Sequence, residues 1–270
     1  MGKSKKRKRL LAMGCDFEKI HSVAIVGSRG QMGGFLALTA ERAGLMVYRF
    51  DTPLDEEKMA RRLPDTDLVI LCIPVTVMDE VLPVVIPHMR KGAILSDVGS
   101  VKGRPIEQML RSYDGPVVGT HPLFGPVIPT DFDPTVALVA KREEDRPALF
   151  AVKDFFERLS FGAFESSIEE HDKAMAMIQA LNFSSTIAFL ACSREIPNIK
   201  KFVTPSFRRR LESARKMVTQ DSDLFSTITD ANQYSQEATR LFRSFLSLAA
   251  AGDMDLLADR ASWWWRDNNT

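Results

Sequence analysis

Cysteine and histidine are scarce in this sequence. The three cysteines, Cys15, Cys72 and Cys192, are odd in number and far apart along 270 residues. They make no disulfide framework, which points to a reducing, cytoplasmic setting. No two cysteines or histidines have the spacing of metal ligands, so no metal site is expected. No apolar run reaches the ~18 to 20 residues that span a bilayer. The N-terminus lacks the apolar region and small-residue cleavage site of a secretory signal. What remains is a chain of ordinary apolar content, 45 %, long enough for a buried core and for two domains.

Charge is balanced in total but not in place. The formal net charge is +1, yet "MGKSKKRKR" holds Lys3, Lys5, Lys6, Arg7, Lys8 and Arg9 and no acid. Without those six, 36 basic residues become 30 against 35 acids, so the body is acidic. Like charges in a row repel and bury nothing, so residues 1–20 are expected to form a solvated, disordered tail. Attraction to nucleic acid or a membrane is the competing reading, and neither partner is expected.

From Ser22 onward strands and helices alternate. "SVAIVG", "MVYRFD", "DLVILCIP", "GAILSD", "GPVVGTH" and "TVALVAK" read as strands. "QMGGFLALTAERAG", "DEEKMARRL" and "RPIEQMLRSY" read as helices between them, and "TVMDEVLPVVIPHM" as a helix broken by Pro83 and Pro87. This alternation predicts an α/β, Rossmann-type, doubly wound parallel sheet with right-handed crossovers. After about Ser167 the pattern becomes all-helical, through "EHDKAMAMIQALNFSSTIAFLACS" and on to Gly252.

Ligands of such sheets bind outside the carboxyl ends of the strands. The loop "GSRGQMGG" follows the first strand and opens a helix, with Gly27, Gly30 and Gly33 spaced to let backbone amides approach a pyrophosphate. Gly27, Ser28, Arg29, Gly30, Gln31, Met32 and Gly33 are thus expected cofactor contacts, with Pro74 at the end of the third strand. Asp51 ends the second strand, where a carboxylate binds ribose hydroxyls and repels an added phosphate, favouring NAD over NADP. Arg49 and Lys58 keep NADP open. Residues 21–166 are read as a dinucleotide-binding domain, and 167–270 as a helical domain for substrate and dimerisation.

"SDVGSVKG" brings Ser100 and Lys102 to the same edge, and "PVVGTHPLFGP" brings His121. Histidine suits removal of a hydroxyl proton near neutral pH, and Ser100 could orient the imidazole or simply cap the next helix. His21 and His88 fall away from this edge. His171 begins the long helix, as a domain-junction residue or a substrate contact.

"VGSRGQMGG", "DVGSVK", "GTHPLFGP", "EEHDKAMAMIQAL" and "QDSDLF" together resemble the prephenate dehydrogenase family from about Val23 to near the C-terminus. The resemblance implies NAD-dependent oxidative decarboxylation of prephenate to 4-hydroxyphenylpyruvate, a step toward tyrosine. It implies that His121 is the catalytic histidine, that Ser100 lies between it and the nicotinamide, and that Lys102 is the lysine of the same loop. It also implies a homodimer formed through the helical part. Prephenate is a dianion, and Arg208 matches one arginine of the family pattern. The main carboxylate-binding arginine falls opposite Lys216, with Arg215 one place before, and lysine lacks the guanidinium fork. Phe183 stands where the family often has a histidine tied to tyrosine inhibition. No mutase or regulatory domain is recognised, so a monofunctional enzyme is expected. Trp263, Trp264 and Trp265 are expected to pack into the core or a dimer interface. Arogenate dehydrogenase is the alternative enzyme. The alternative from another class is a catalytically silent NAD-binding regulator.

Overall fold

The computed structural model describes residues 19–266. The expected disorder of residues 1–18 lies outside the described residues. Ile20, assigned to the tail, is instead buried just before β1, where its carbonyl accepts from the Arg158 guanidinium. The chain divides into two units after Asp172, later than the boundary expected at 166/167. The reason is local: His171 and Asp172 are buried, and Asp172 is bonded to the backbone of Lys102 and Gly103 in the first unit.

The first unit is a seven-stranded sheet. Its strands are β1 (Ser22–Val26), β2 (Met46–Phe50), β3 (Leu68–Leu71), β4 (Ile94–Asp97), β5 (Val117–Pro122), β6 (Thr135–Val139) and β7 (Gly162–Glu165). They lie in the order β2-β1-β3-β4-β5-β6-β7. The five strands β2 to β5 are parallel, as the alternating pattern predicts. β1, β3, β4 and β5 are buried throughout because helices cover both faces. Alternate strand residues feed opposite cores. Val23 and Ile25 join helices α1 (Gln31–Arg42) and α5 (Arg146–Arg158) through Leu36 and Phe155. Ala24 and Val26 meet α2 (Glu56–Arg62), α3 (Met78–Val85) and α4 (Gly103–Ser112) through Met59, Leu82 and Met109.

Three details depart from expectation. β6 runs antiparallel to β5. A parallel return needs a long crossover, usually a helix, and the connection "LFGPVIPTDFDP" with three prolines forms none. β7 was not foreseen: it has four residues, mostly exposed, too short for a readable alternation. Pro83 sits inside α3 rather than breaking it, and only Pro87 marks its end, in a 3-10 turn. The carbonyl deprived of its donor belongs to Asp79, which is exposed and can bond water.

The second unit is helical. The run that opens at α6 (Ile168–Met175) continues through a π-helical segment (Ala176–Leu181) into α7 (Asn182–Ser193). Helices α8 (Pro205–Thr219), α9 (Ser222–Ala231), α10 (Ser235–Ala250) and α11 (Met254–Ala261) follow. Against the expectation of no membrane-length run, Ile168–Ser193 is long and apolar enough, by length and composition, to cross a bilayer. The same criterion is met by core and interface helices, and this run carries Gln179, Asn182, Ser184, Ser185 and Thr186. Ala176, Leu181 and Ala238 form a small buried core with Tyr234 and Phe242 against it. Phe183 stacks on Phe225, with centroids 5.1 Å apart. The three tryptophans are not packed inward: Trp263, Trp264 and Trp265 are 60, 63 and 78 % exposed.

Candidate active site

β1 has β2 on one side and β3 on the other, so the connections diverge there and open a crevice at the carboxyl ends. The glycine loop sits at this point. Gly27 has φ +89°, and a β-carbon on it would lie 2.3 Å from the Cys72 carbonyl oxygen; one on Gly33 would lie 2.2 Å from the Gly27 oxygen. Only glycine fits either position, and the bare backbone leads into α1, whose N-cap residue Gly30 supplies no side-chain cap. The amides at that helix start suit an anion. Ser28 is buried, Gln31 is exposed and Met32 is half-buried against the core. Pro74 is exposed where the chain leaves β3.

Asp51 is tied to this loop. Its carboxylate accepts from the backbone N–H of Arg29 at 2.6 Å and of Thr52 at 2.9 Å. The Arg29 guanidinium donates to the Thr52 carbonyl. The two cations that could greet an extra phosphate are engaged elsewhere. Arg49 forks onto Glu41 at 2.8 and 2.9 Å, and Lys58 Nζ donates to the Arg49 carbonyl.

The ends of β4 and β5 carry a second cluster, and most of its members are buried. Lys102 has no exposed surface; its Nζ lies 2.5 Å from Asp97 Oδ2 and 2.7 Å from the Thr120 carbonyl. Burial pushes the Asp97 carboxyl up and the Lys102 ammonium down, and each partner's charge opposes the other's shift. Next to Thr120, the His121 side chain is 3 % exposed. Its Nδ1 lies 2.9 Å from His171 Nε2, and His171 Nδ1 lies 2.8 Å from Asp172 Oδ1. Asp172 also accepts from the Lys102 and Gly103 amides at the start of α4, at 2.8 and 2.9 Å.

This network dictates a tautomer. An Asp172 carboxylate requires a proton on His171 Nδ1. Neutral His171 then accepts at Nε2, so His121 donates from Nδ1. That leaves a lone pair on His121 Nε2. Burial, then repulsion from any proton taken up by His171 and from the Lys102 ammonium, hold the His121 imidazole well below the usual histidine range, which favours its neutral form.

The expected residues are therefore sorted. His121 and His171 meet directly, fifty residues apart in sequence, and Lys102 lies beneath them. Lys102 cannot face a ligand in this arrangement, because its ammonium is spent on Asp97 and Thr120; it positions the strand ends instead. Ser100 is half-buried in the loop after β4, and His171 rather than Ser100 orients His121 through Nδ1. Asp172 was missed, although it adjoins His171 in "EEHDKAM". In the helical unit, Arg208 and Arg215 line one cavity of about 330 Å³ with Leu190, Leu211 and Val218. Lys216 instead faces Asp221 at 3.6 Å. Among the described residues, no cluster of histidine, cysteine and carboxylate side chains could hold a metal.

Known proteins resemble this chain over most of its length. A family model described as "Prephenate dehydrogenase, nucleotide-binding domain" matches residues 44–161. The T-protein of Enterobacter agglomerans is 32 % identical over 220 residues, 78 % of this chain and 56 % of that protein. The nucleotide-binding part of this chain is that of the prephenate dehydrogenase family. A probable arogenate/prephenate dehydrogenase of Methanocaldococcus jannaschii is 27 % identical over 65 % of the chain and 41 % of that protein. The chain spans about half the length of the curated family members it matches. Two solved members share the fold over 92 % of this chain. Prephenate dehydrogenase from A. aeolicus, in complex with hydroxyphenyl propionate and NAD+, has a TM-score of 0.73, 21 % identity and 96 % of its own chain covered. Synechocystis arogenate dehydrogenase has a TM-score of 0.74, 19 % identity and 100 % covered.

Proposed function

We propose that this protein is an NAD-dependent dehydrogenase that oxidatively decarboxylates prephenate to 4-hydroxyphenylpyruvate, in the cytoplasmic synthesis of tyrosine. The observation that carries the reading is His121, buried near the carboxyl ends of the strands with its Nδ1 2.9 Å from His171 Nε2, an arrangement that leaves Nε2 for a substrate hydroxyl. The cofactor fits the residues present. Gly27 and Gly33 let β1, the loop and α1 pack closely enough to set the turn, the amides at Gly30 to Met32 would meet the charge of a pyrophosphate, and the Asp51 carboxylate would accept from the adenosine ribose. When bound, the nicotinamide supplies the acceptor for hydride. His121 Nε2 takes the ring hydroxyl's proton, which a positioned base accelerates by about 10²–10⁴-fold. Ser100 binds beside it. Arg208 and Arg215, on one face of α8, are the better-matched cations for the substrate carboxylates, because Lys216 is paired and unforked.

The helical unit is proposed to dimerise. Leu224, Leu241, Leu246, Leu256 and the three tryptophans are all at least half exposed, apolar surface that a second copy would cover.

The test is NADH or NADPH production from prephenate and from arogenate, each with NAD and NADP. The expected result is turnover of prephenate with NAD. Turnover of arogenate alone would reassign the substrate, and no turnover of either would leave a silent cofactor-binding protein. Asp51→Ala should weaken NAD about tenfold or more, the worth of a hydrogen bond to a charged group, and relax discrimination against NADP. Unchanged cofactor preference would remove Asp51 from the site.

A further inference from the structure

We propose that His121 and His171 form a two-histidine proton relay anchored by Asp172, in which the positive charge created by taking the substrate's proton comes to rest on His171 and not on His121. The inference deepens the dehydrogenase reading and rests on it.

The geometry supplies the path. His121 Nδ1 and His171 Nε2 are 2.9 Å apart, with the rings at 72° and their centroids 5.1 Å apart. Both rings are nearly excluded from water, so neither nitrogen of this contact exchanges readily with solvent. Beyond His171 stands Asp172, 2.8 Å from Nδ1 and itself fixed by two backbone amides.

The charged groups around the pair are arranged unequally. His121 sits near the Lys102 ammonium, which is neutralised in part by Asp97. His171 has a carboxylate in contact. A positive charge is therefore better placed on His171 than on His121. An isolated base as depressed as His121 would be a poor proton acceptor; handing the proton on removes that handicap.

The step balances. The substrate O–H bond breaks and its proton bonds to His121 Nε2. The His121 Nδ1–H proton moves to His171 Nε2. His171 is then an imidazolium against the Asp172 carboxylate, and His121 is neutral in its other tautomer. After product leaves, His121 Nε2 releases its proton to solvent and Nδ1 recovers its own from His171.

Two measurements on the full chain test this. Without ligand, ¹⁵N-imidazole NMR should show His121 as the Nδ1–H tautomer at neutral pH, and His171→Gln should change His121's titration. A proton on His121 Nε2, or a His121 signal indifferent to His171→Gln, overturns the relay. In turnover, His171→Gln keeps an acceptor for His121 but cannot hold a proton. It should lose about 10²-fold in kcat with KM little changed, and the acid limb of the kcat profile should move. Wild-type kcat and pH profile in that variant would reduce His171 to a spacer and overturn the proposal. If the unaltered protein turns over neither prephenate nor arogenate, the dehydrogenase reading fails, while the NMR result still decides whether the pair shares a proton.

Discussion

Ile25, Leu71, Leu95 and Val118 of the sheet unit have no exposed surface, whereas Leu224, Leu241, Leu246 and Trp264 of the helical unit are 56, 50, 52 and 63 % exposed. The first unit closes its core within one chain, and it can therefore afford a buried ion pair and two buried histidines. Low dielectric strengthens such groups and penalises any left unpaired. The second unit leaves apolar surface that one chain does not cover. Exclusion of water is thus a property of the first unit, and open apolar surface a property of the second.

The sharpest break of this contrast is His121→Asn. It removes a buried imidazole of the sheet unit, and kcat should fall by about two to four orders of magnitude. NAD affinity, measured by fluorescence titration, should stay within about twofold, because the glycine loop does not touch His121. Survival of kcat would mean that another group takes the proton.

The next compares one lysine from each unit. Lys102→Met leaves Asp97 buried without its cation and should cost about 3–5 kcal/mol. Lys216→Met, on an exposed side chain 3.6 Å from Asp221, should change stability by less than about 0.5 kcal/mol. Urea unfolding followed by circular dichroism distinguishes them, and equal costs would erase the claimed difference in environment.

These sites differ in how far the sequence reveals them. The glycine loop, Asp51 and the strands through β5 are legible because their signals are local: β-branched runs, glycines at a strand end, a carboxylate one strand on. His121 is legible because it stands at the end of an apolar strand. Its partner is not, because the contact joins positions fifty apart and depends on α6 folding back to the end of β5. The same holds for Lys102: a lysine in a loop reads as an exposed cation, and only the fold shows Asp97 and the Thr120 carbonyl around it. β6's direction turned on the absence of a helix in the preceding loop.

Acid should also separate the units. The folded His121 is held below its unfolded value of about 6.5, so the folded state binds fewer protons there. Its contribution to stability is complete above that value and is lost as pH falls from it through the folded pKa. Asp172, lowered by the bond from His171 and the amides of Lys102 and Gly103 against the cost of burial, adds a second loss below the ordinary aspartate range. Unfolding midpoints should therefore begin to drop below about pH 6.5, and His121→Asn should flatten the first part of that slope. An identical slope in the variant would show that His121 is not the group that protonates.

The smallest effect on a single chain should come from Leu241→Ser with Leu246→Ser. Both side chains are half exposed on α10, so at low protein concentration unfolding should shift by only about 0.5 kcal/mol. If the helical unit joins two copies, the same change removes apolar area from the interface. The native protein's melting temperature should then rise with concentration, because association stabilises the folded state by mass action. The double variant should lose that dependence and sediment as a monomer. A concentration-independent melting temperature in the unsubstituted protein, with monomer mass, would mean that the exposed leucines serve something other than a second copy of this chain.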